Sequence, residues 1–206
     1  MTRHRVTAAV IGEGITEKYY IQSLREAVRI KPSPVKPKKS TLKELELAIK
    51  ACIRKGYDRI YCMIDMDNKV HDGNPDHERN AGEYARLKRQ YNGKLHNCPD
   101  GSRALVKMVE SFPATEIFFL YYFGYTGALY SNHQLKSLLN KRFGYLTEEK
   151  YLIKHSLHDL LTDAGGSLQT ALSASMQSKP AAALNPPEQS YSEIGDMIQE
   201  LIPVDF

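Results

Sequence analysis

Two short apolar stretches that end in acidic residues constrain the fold of this chain more than any other feature. The first, VIGEGITEKYY, starts at Val10 and carries Glu13 and Glu17, and the second, IYCMIDMD, ends in Asp65 and Asp67. Short apolar runs beside Gly or polar residues are typical of strands buried in a parallel sheet. In an open α/β sheet, ligands bind where the carboxyl ends of the strands meet. We therefore expect these acidic residues to converge on one site.

The segments around these strands predict helices. Thr16 is the expected N-cap of a helix after the first strand, and Ser40 or Thr41 is the expected N-cap of a helix before the second. The Lys- and Pro-rich segment at residues 31–39 is expected to be a loop or an edge strand, because proline cannot donate to a central ladder. Alternating strands and helices predict an α/β fold with a mostly parallel sheet flanked by helices.

The later part of the sequence is richer in helical patterns. Residues 68–80 are polar and contain turn-forming residues, which predicts a loop, and residues 103–111 are expected to form another strand. Pro113 precedes an apolar segment that we expect to be a buried helix with Glu116 near its start. Further helices are predicted at residues 81–91, 134–141, 147–162, 166–177 and 191–201.

Length and composition fit a globular protein. The 206 residues, 42% of them hydrophobic, can bury a substantial core. We expect an α/β domain at residues 1–125 with a helical C-terminal extension at residues 126–206 packed on it, or one domain that contains both. No apolar run approaches the ~18 residues that cross a bilayer, and the N-terminus is more typical of a strand than of a signal peptide. Three cysteines without CxxC spacing indicate neither a disulfide framework nor a zinc site, so we expect a cytoplasmic protein without a membrane partner.

The spacing of the acidic residues indicates a site for a hard cation. Asp65 and Asp67 are one residue apart, so in an extended strand their side chains point the same way, and Mg²⁺ prefers such oxygen ligands. Glu17 follows Glu13 by four residues, which places two like charges on one helix face, and a bound cation would remove their repulsion. Glu116 stands in an otherwise apolar sequence. Each of these residues also has a structural interpretation, as a helix-start acid or a solvated strand end.

Positive charge is concentrated in two segments, although the formal net charge of +4 is too small by itself to indicate nucleic acid. Basic residues beside an acidic site can guide a polyphosphate towards a bound cation, because phosphate neutralisation dominates nucleic-acid affinity. The alternative is that they form solvated helix faces and a linker. The candidates for nucleic-acid contacts are Lys36, Lys38, Lys39, Lys69, Arg86, Lys88 and Arg89.

Four motifs, taken in order, resemble a known family. A glutamate after the first strand and a DxD after a later one resemble the Toprim domain, and EGxTExxY, which starts at Glu13, is similar to the form in OLD-family nucleases and the RloB-like family. SFPATEIFFLYYF and ALNPPEQSYSEIGDMIQEL resemble the third motif and the C-terminal helix of RloB-like proteins. The third motif departs from the family pattern at Phe112, Ala114 and Thr115, and Tyr122 stands where the family has histidine.

The resemblance implies a Toprim-like nuclease that hydrolyses phosphodiester bonds of DNA or RNA with Mg²⁺ or Mn²⁺, in bacterial defence. Glu13, Asp65 and Asp67 would be the catalytic residues and hold the first of two metal ions. Glu17 and Glu116 would help to hold the second. Glu13 is alternatively a general base.

Two other functions are compatible with the same residues. A nucleic-acid-binding or adaptor protein without turnover, working with a separately encoded ATPase, would explain the altered third motif. A HAD-like phosphatase would use Asp65 as its nucleophile, but this leaves GEGITE unexplained. Whichever function holds, the apolar run at residues 117–123 and the C-terminal helices could bury a homodimer face.

Overall fold

A single sheet organises the chain in the computed structural model, which describes residues 6–27, 32–178 and 188–202. The described strands are β1 (Ala8–Gly12), β2 (Ser33–Val35), β3 (Arg59–Asp65), β4 (Lys94–Asn97), β5 (Arg103–Phe112) and β6 (Tyr191–Ser192). Their order is β2-β1-β3-β5-β4, with β6 also paired to β5. The pairs β1–β2, β1–β3 and β3–β5 are parallel, whereas β4 and β6 run antiparallel to β5. The predicted α/β fold with a mostly parallel sheet is confirmed.

Helices cover both faces of this sheet. The described helices are α1 (Ile15–Ala27), α2 (Leu42–Arg54), α3 (Pro75–Tyr91), α4 (Glu116–Tyr121), α5 (Asn132–Phe143), α6 (Glu149–Lys154), α7 (Leu157–Asp163), α8 (Leu168–Ser178) and α9 (Ile194–Leu201). Residues of α2 and α3 form one hydrophobic core against the sheet, and residues of α1 and of α4 to α9 form the other. Successive residues of β3 alternate between the two cores, since Tyr61 and Met63 face one and Cys62 and Ile64 face the other.

The C-terminal helices therefore share a core with α1 and α4. The division of the chain at residue 125 stays a prediction. Of the apolar run at residues 117–123, residues 117–122 are buried in this same core and are not available for a dimer face. A homodimer through the C-terminal helices stays a prediction. Within the described residues, no helix is long and apolar enough to cross a membrane.

Several predicted boundaries are wrong for local reasons. Thr16 lies inside α1, which starts one residue earlier, whereas Thr41 does cap α2 through a 3.3 Å hydrogen bond from the backbone N–H of Glu44. The predicted loop at residues 68–80 ends early, because Asn74 caps α3 and Pro75 occupies its first turn, where proline is tolerated.

Two of the predicted C-terminal helices also differ. The one expected at residues 147–162 is two helices, because Ser156 caps a new helix at α7. The one expected at residues 191–201 begins with β6. The Lys- and Pro-rich segment contributes the edge strand β2, as one of its two predicted forms. Its first residue, Lys31, lies outside the described part of the chain.

Candidate metal centre

Three neighbouring parallel strands end at the same edge of the sheet, and each delivers acidic residues there. Glu13 follows β1, Asp65 is the last residue of β3, and Glu116 begins α4 shortly after β5. The charges of Glu13, Glu17 and Glu116 all act on Asp65, and that of Asp67 acts on Glu13. The structure thus brings together the five acidic residues that the sequence singled out.

Asp65 lies at the centre of this carboxylate cluster, which we define as Glu13, Glu17, Asp65, Asp67 and Glu116. Thr115 donates to Asp65 Oδ1 from its backbone N–H at 2.8 Å and from its hydroxyl at 3.1 Å. Burial and the charges of the surrounding glutamates raise the pKa of Asp65 well above its ordinary value. Thr115 therefore holds Asp65 in place.

Glu17 is buried in the first turn of α1, where its Oε2 accepts a 2.7 Å hydrogen bond from the backbone N–H of Gly14. Burial and the charges of Glu116 and Glu13 raise its pKa to about 7. Gly12 and Gly14, on either side of Glu13, leave room for the Glu17 side chain. A Cβ at Gly12 would lie 2.4 Å from Glu17 Cβ, and a Cβ at Gly14 would lie 3.0 Å from Glu17 Oε2. The two glycines are therefore needed because the Glu17 side chain packs directly against the backbone at positions 12 and 14, and not because the chain makes a sharp turn there.

Lys69 is buried against Glu13. Its Nζ donates to Glu13 Oε2 at 3.2 Å and to the backbone oxygen of Asp65 at 2.6 Å. Glu13 Oε1 lies 3.1 Å from the same ammonium but is a buried oxygen without a hydrogen bond. Burial raises the pKa of Glu13 and the charge of Lys69 opposes this rise. Its side chain is 5% exposed, so Lys69 is buried beside the carboxylate cluster, and its predicted contact with nucleic acid stays a prediction.

The other two carboxylates are held by residues from the C-terminal half of the chain. Asn132, the first residue of α5, donates from Nδ2 to Asp67 Oδ2 at 2.5 Å. Tyr145, just beyond the end of that helix, donates its hydroxyl to Glu116 Oε1 at 2.9 Å. One helix and its flanks thus orient both acids. Sequence reasoning missed these partners because no local pattern links Asn132 and Tyr145 to acids that lie 65 and 29 positions away.

The cluster carries more negative charge than its protein partners balance. Against its four most buried acids, Glu13, Glu17, Asp65 and Glu116, the structure places the ammonium of Lys69. In the described residues no three His, Cys, Asp or Glu side chains are arranged as a ready metal site. The donor chemistry nevertheless fits a hard cation, since all the ligand atoms are oxygens and one buried oxygen of Glu13 lacks a hydrogen bond.

The residues predicted to contact nucleic acid fall into different environments. Lys36, Lys38 and Lys39 are exposed at and after the end of β2, and Arg89 is exposed on α3. Arg86 forms a 2.8 Å ion pair with Glu46 on α2, and Lys88 forms an ion pair with Glu110 on β5. The segment at residues 36–39 is therefore the better placed of the two, because the Ser40 hydroxyl that follows it donates to the backbone oxygen of Glu13 at 2.7 Å.

Tyr122, where the resemblance led us to expect a histidine, belongs to the core. Its hydroxyl lies 3.0 Å from that of Tyr20 and 2.9 Å from Nδ1 of His158. Burial raises the pKa of Tyr122 and lowers that of His158. This neutral chain of side chains packs α1, α4 and α7 together.

Comparison with known proteins gives one family. The sequence pattern of the RloB-like protein family matches residues 9–201, which includes all five acids of the carboxylate cluster. No curated protein and no solved structure matches the chain.

Proposed function

The chain belongs to the RloB-like protein family, and we propose that it is a metal-dependent nuclease of the Toprim type that hydrolyses phosphodiester bonds of DNA or RNA. The observation that carries this proposal is the excess of buried carboxylates over buried cations where β1, β3 and β5 end. Such an excess is costly unless protons or a cation balance it. A divalent cation would neutralise the excess negative charge and would also make the site able to catalyse hydrolysis.

The residues divide naturally between two positions. Glu13, Asp65 and Asp67 would hold the first Mg²⁺ or Mn²⁺, and Glu17 and Glu116 would help to hold a second. Bound ions of this kind supply Lewis acidity and lower the pKa of a bound water. The protein would position the ligands and stabilise the developing charge. Thr115 and the Gly14 amide fix the acids that they contact, and Lys69 offers the developing charge at phosphorus an ammonium group.

The protonation of Glu17 links this site to pH. With its pKa raised to about 7, the carboxyl is largely protonated at mildly acidic pH and must release a proton before it can act as a ligand. We therefore propose that metal binding and turnover increase as the pH rises through 7. The setting we propose is bacterial defence, with a separately encoded ATPase as a partner.

Cleavage assays test the proposal directly. Wild type and the Asp65→Ala and Glu13→Ala variants are incubated with DNA and with RNA, in Mg²⁺, Mn²⁺ or EDTA. We expect cleavage by wild type that needs the metal and is lost in both variants. Equal cleavage by the variants, or no metal-dependent cleavage by wild type, would refute the nuclease.

An adaptor without turnover is the second candidate, and the lack of a ready three-ligand metal group among the described residues favours it. In the same assay it would bind nucleic acid without cutting it. The HAD-like alternative predicts hydrolysis of small phosphate monoesters that depends on Asp65.

A further inference from the structure

A cleft opens beside the carboxylate cluster and shares Glu13 with it. Its volume is about 350 Å³, at the lower end of the ~300–1,000 Å³ range of ligand pockets. Glu13 and Lys69 lie at its inner side. The first turn of α2, with Lys43, forms one wall, and α3, with Arg79 and Asn80, forms another.

The cleft is linked to the metal site by the chain itself. The Ser40 side chain, which lines the cleft, donates to the backbone oxygen of Glu13 at 2.7 Å. Lys38 and Lys39 are exposed immediately before it. A ligand that lies in the cleft is therefore next to Glu13, one of the acids of the carboxylate cluster.

The lining has the chemistry of an anion site. Lys43 and Arg79 bring two positive charges that lie outside the Lys69–Glu13 pair, and Glu83 brings one negative charge. Arg79 forms a 3.0 Å ion pair with Asp76, but both side chains are more than 70% exposed, so the pair contributes little and the guanidinium can turn to a phosphate. The first turn of α2 adds backbone N–H groups that lack partners within the helix.

The lining also indicates that the cleft does not recognise nucleic-acid bases. The described residues around it include no aromatic side chain, and aromatic side chains are what proteins use to stack single-stranded bases. Basic and small polar groups contact phosphate and sugar without regard to sequence.

We propose that this cleft binds the sugar–phosphate backbone of the nucleic-acid strand next to the bond that is cleaved, with Lys43 and Arg79 as its phosphate contacts. This inference rests on the proposed nuclease function, because that function supplies the strand. It predicts binding that is independent of base sequence and sensitive to salt.

Fluorescence anisotropy in EDTA measures binding without cleavage. Labelled single-stranded DNA, double-stranded DNA and single-stranded RNA of two unrelated sequences are titrated with wild type, with Lys43→Gln/Arg79→Gln and with a matched control, Arg103→Gln/Lys150→Gln. The control removes the same charge from exposed positions on β5 and α6. Thermal unfolding shows that each variant is folded, and Lys43→Arg/Arg79→Lys restores the charge.

We expect the cleft variant to bind about tenfold more weakly and to lose about 1.4 to 1.8 from the slope of log K against log salt, since each phosphate contact contributes about 0.7 to 0.9. The control and the charge-restoring variant should resemble wild type. Equal losses in cleft variant and control, no loss in the cleft variant, or a loss that depends on the base sequence would overturn the inference. If binding behaves as expected but wild type with Mg²⁺ cuts nothing, the proposed nuclease fails and the cleft stands.

Discussion

Among the residues that the structure describes, buried acids occur in two places, and their surroundings differ. Glu110, near the end of β5, accepts hydrogen bonds from the hydroxyls of Tyr84 at 2.6 Å and Tyr191 at 3.4 Å, and pairs with Lys88. In the carboxylate cluster, the ammonium of Lys69 pairs with Glu13, and the pKa values of Glu13, Glu17 and Asp65 are all raised. A buried acid is thus not itself a functional signal. A buried acid indicates function when the neighbouring residues do not balance its charge.

The largest expected difference between the two places is in catalysis. Glu116→Gln and Glu110→Gln remove the same charge six positions apart, one from each place. We expect Glu116→Gln to lower the rate of Mg²⁺-dependent cleavage by more than the ~100-fold that loss of an outer partner of a metal ligand costs. Glu110→Gln should keep the wild-type rate. Cleavage rates at saturating Mg²⁺ measure both, and a similar rate for the two variants would remove the distinction.

Metal binding at the carboxylate cluster should stabilise the folded protein, and Glu110 should make no contribution to this effect. At a Mn²⁺ concentration 100 times the dissociation constant, we expect about 2.7 kcal/mol of added stability, or an increase in Tm of roughly 5–10 °C for a chain of this size. Glu110→Gln should show the same increase and Asp65→Asn should lose it. Thermal unfolding with and without Mn²⁺ gives the answer. An increase that persists in Asp65→Asn would place the metal elsewhere.

Without metal, removing a charge should have opposite effects on stability in the two places. Folded Glu17 keeps a proton between its ordinary pKa of 4.5 and its raised pKa of about 7, whereas the unfolded chain has lost it. The metal-free protein therefore loses stability as the pH rises through that window. At pH 8, Glu17→Gln should stabilise the protein and remove this pH dependence, whereas Glu110→Gln should destabilise it by about 1–2 kcal/mol.

Denaturant unfolding from pH 5 to 8 measures these changes. If Glu17→Gln destabilises the protein at pH 8, the cluster is a satisfied structural network like that around Glu110.

The smallest expected effects concern single hydroxyls. Tyr145→Phe removes the donor to Glu116, and Tyr84→Phe removes the matching donor to Glu110. We expect Tyr145→Phe to weaken Mn²⁺ binding about tenfold, the lower end for a partner that orients a ligand. Tyr84→Phe should lose about 1 kcal/mol of stability and keep its Mn²⁺ affinity. Calorimetric titration with Mn²⁺ compares them, and equal affinities would deny Tyr145 an orienting role.

The sequence predicted the acids of the cluster because each lies directly after a strand or at a helix start, where local pattern fixes position. It did not predict Thr115, Asn132 or Tyr145 as their partners, since those contacts depend on how distant segments pack. The same limit affected the basic residues. Arg86 and Lys88 looked available because the acids that pair with them are 40 and 22 positions away.

The central claim is that the carboxylate cluster holds a divalent cation, and diffraction from crystals grown in Mn²⁺ tests it most directly. Anomalous scattering locates manganese without reference to any assumed ligand. We predict a peak in contact with Asp65 and at least one of Glu13 and Asp67, and its absence from Asp65→Asn crystals. Manganese bound elsewhere, with the cluster still free of metal at saturating Mn²⁺ and pH 8, would contradict the claim.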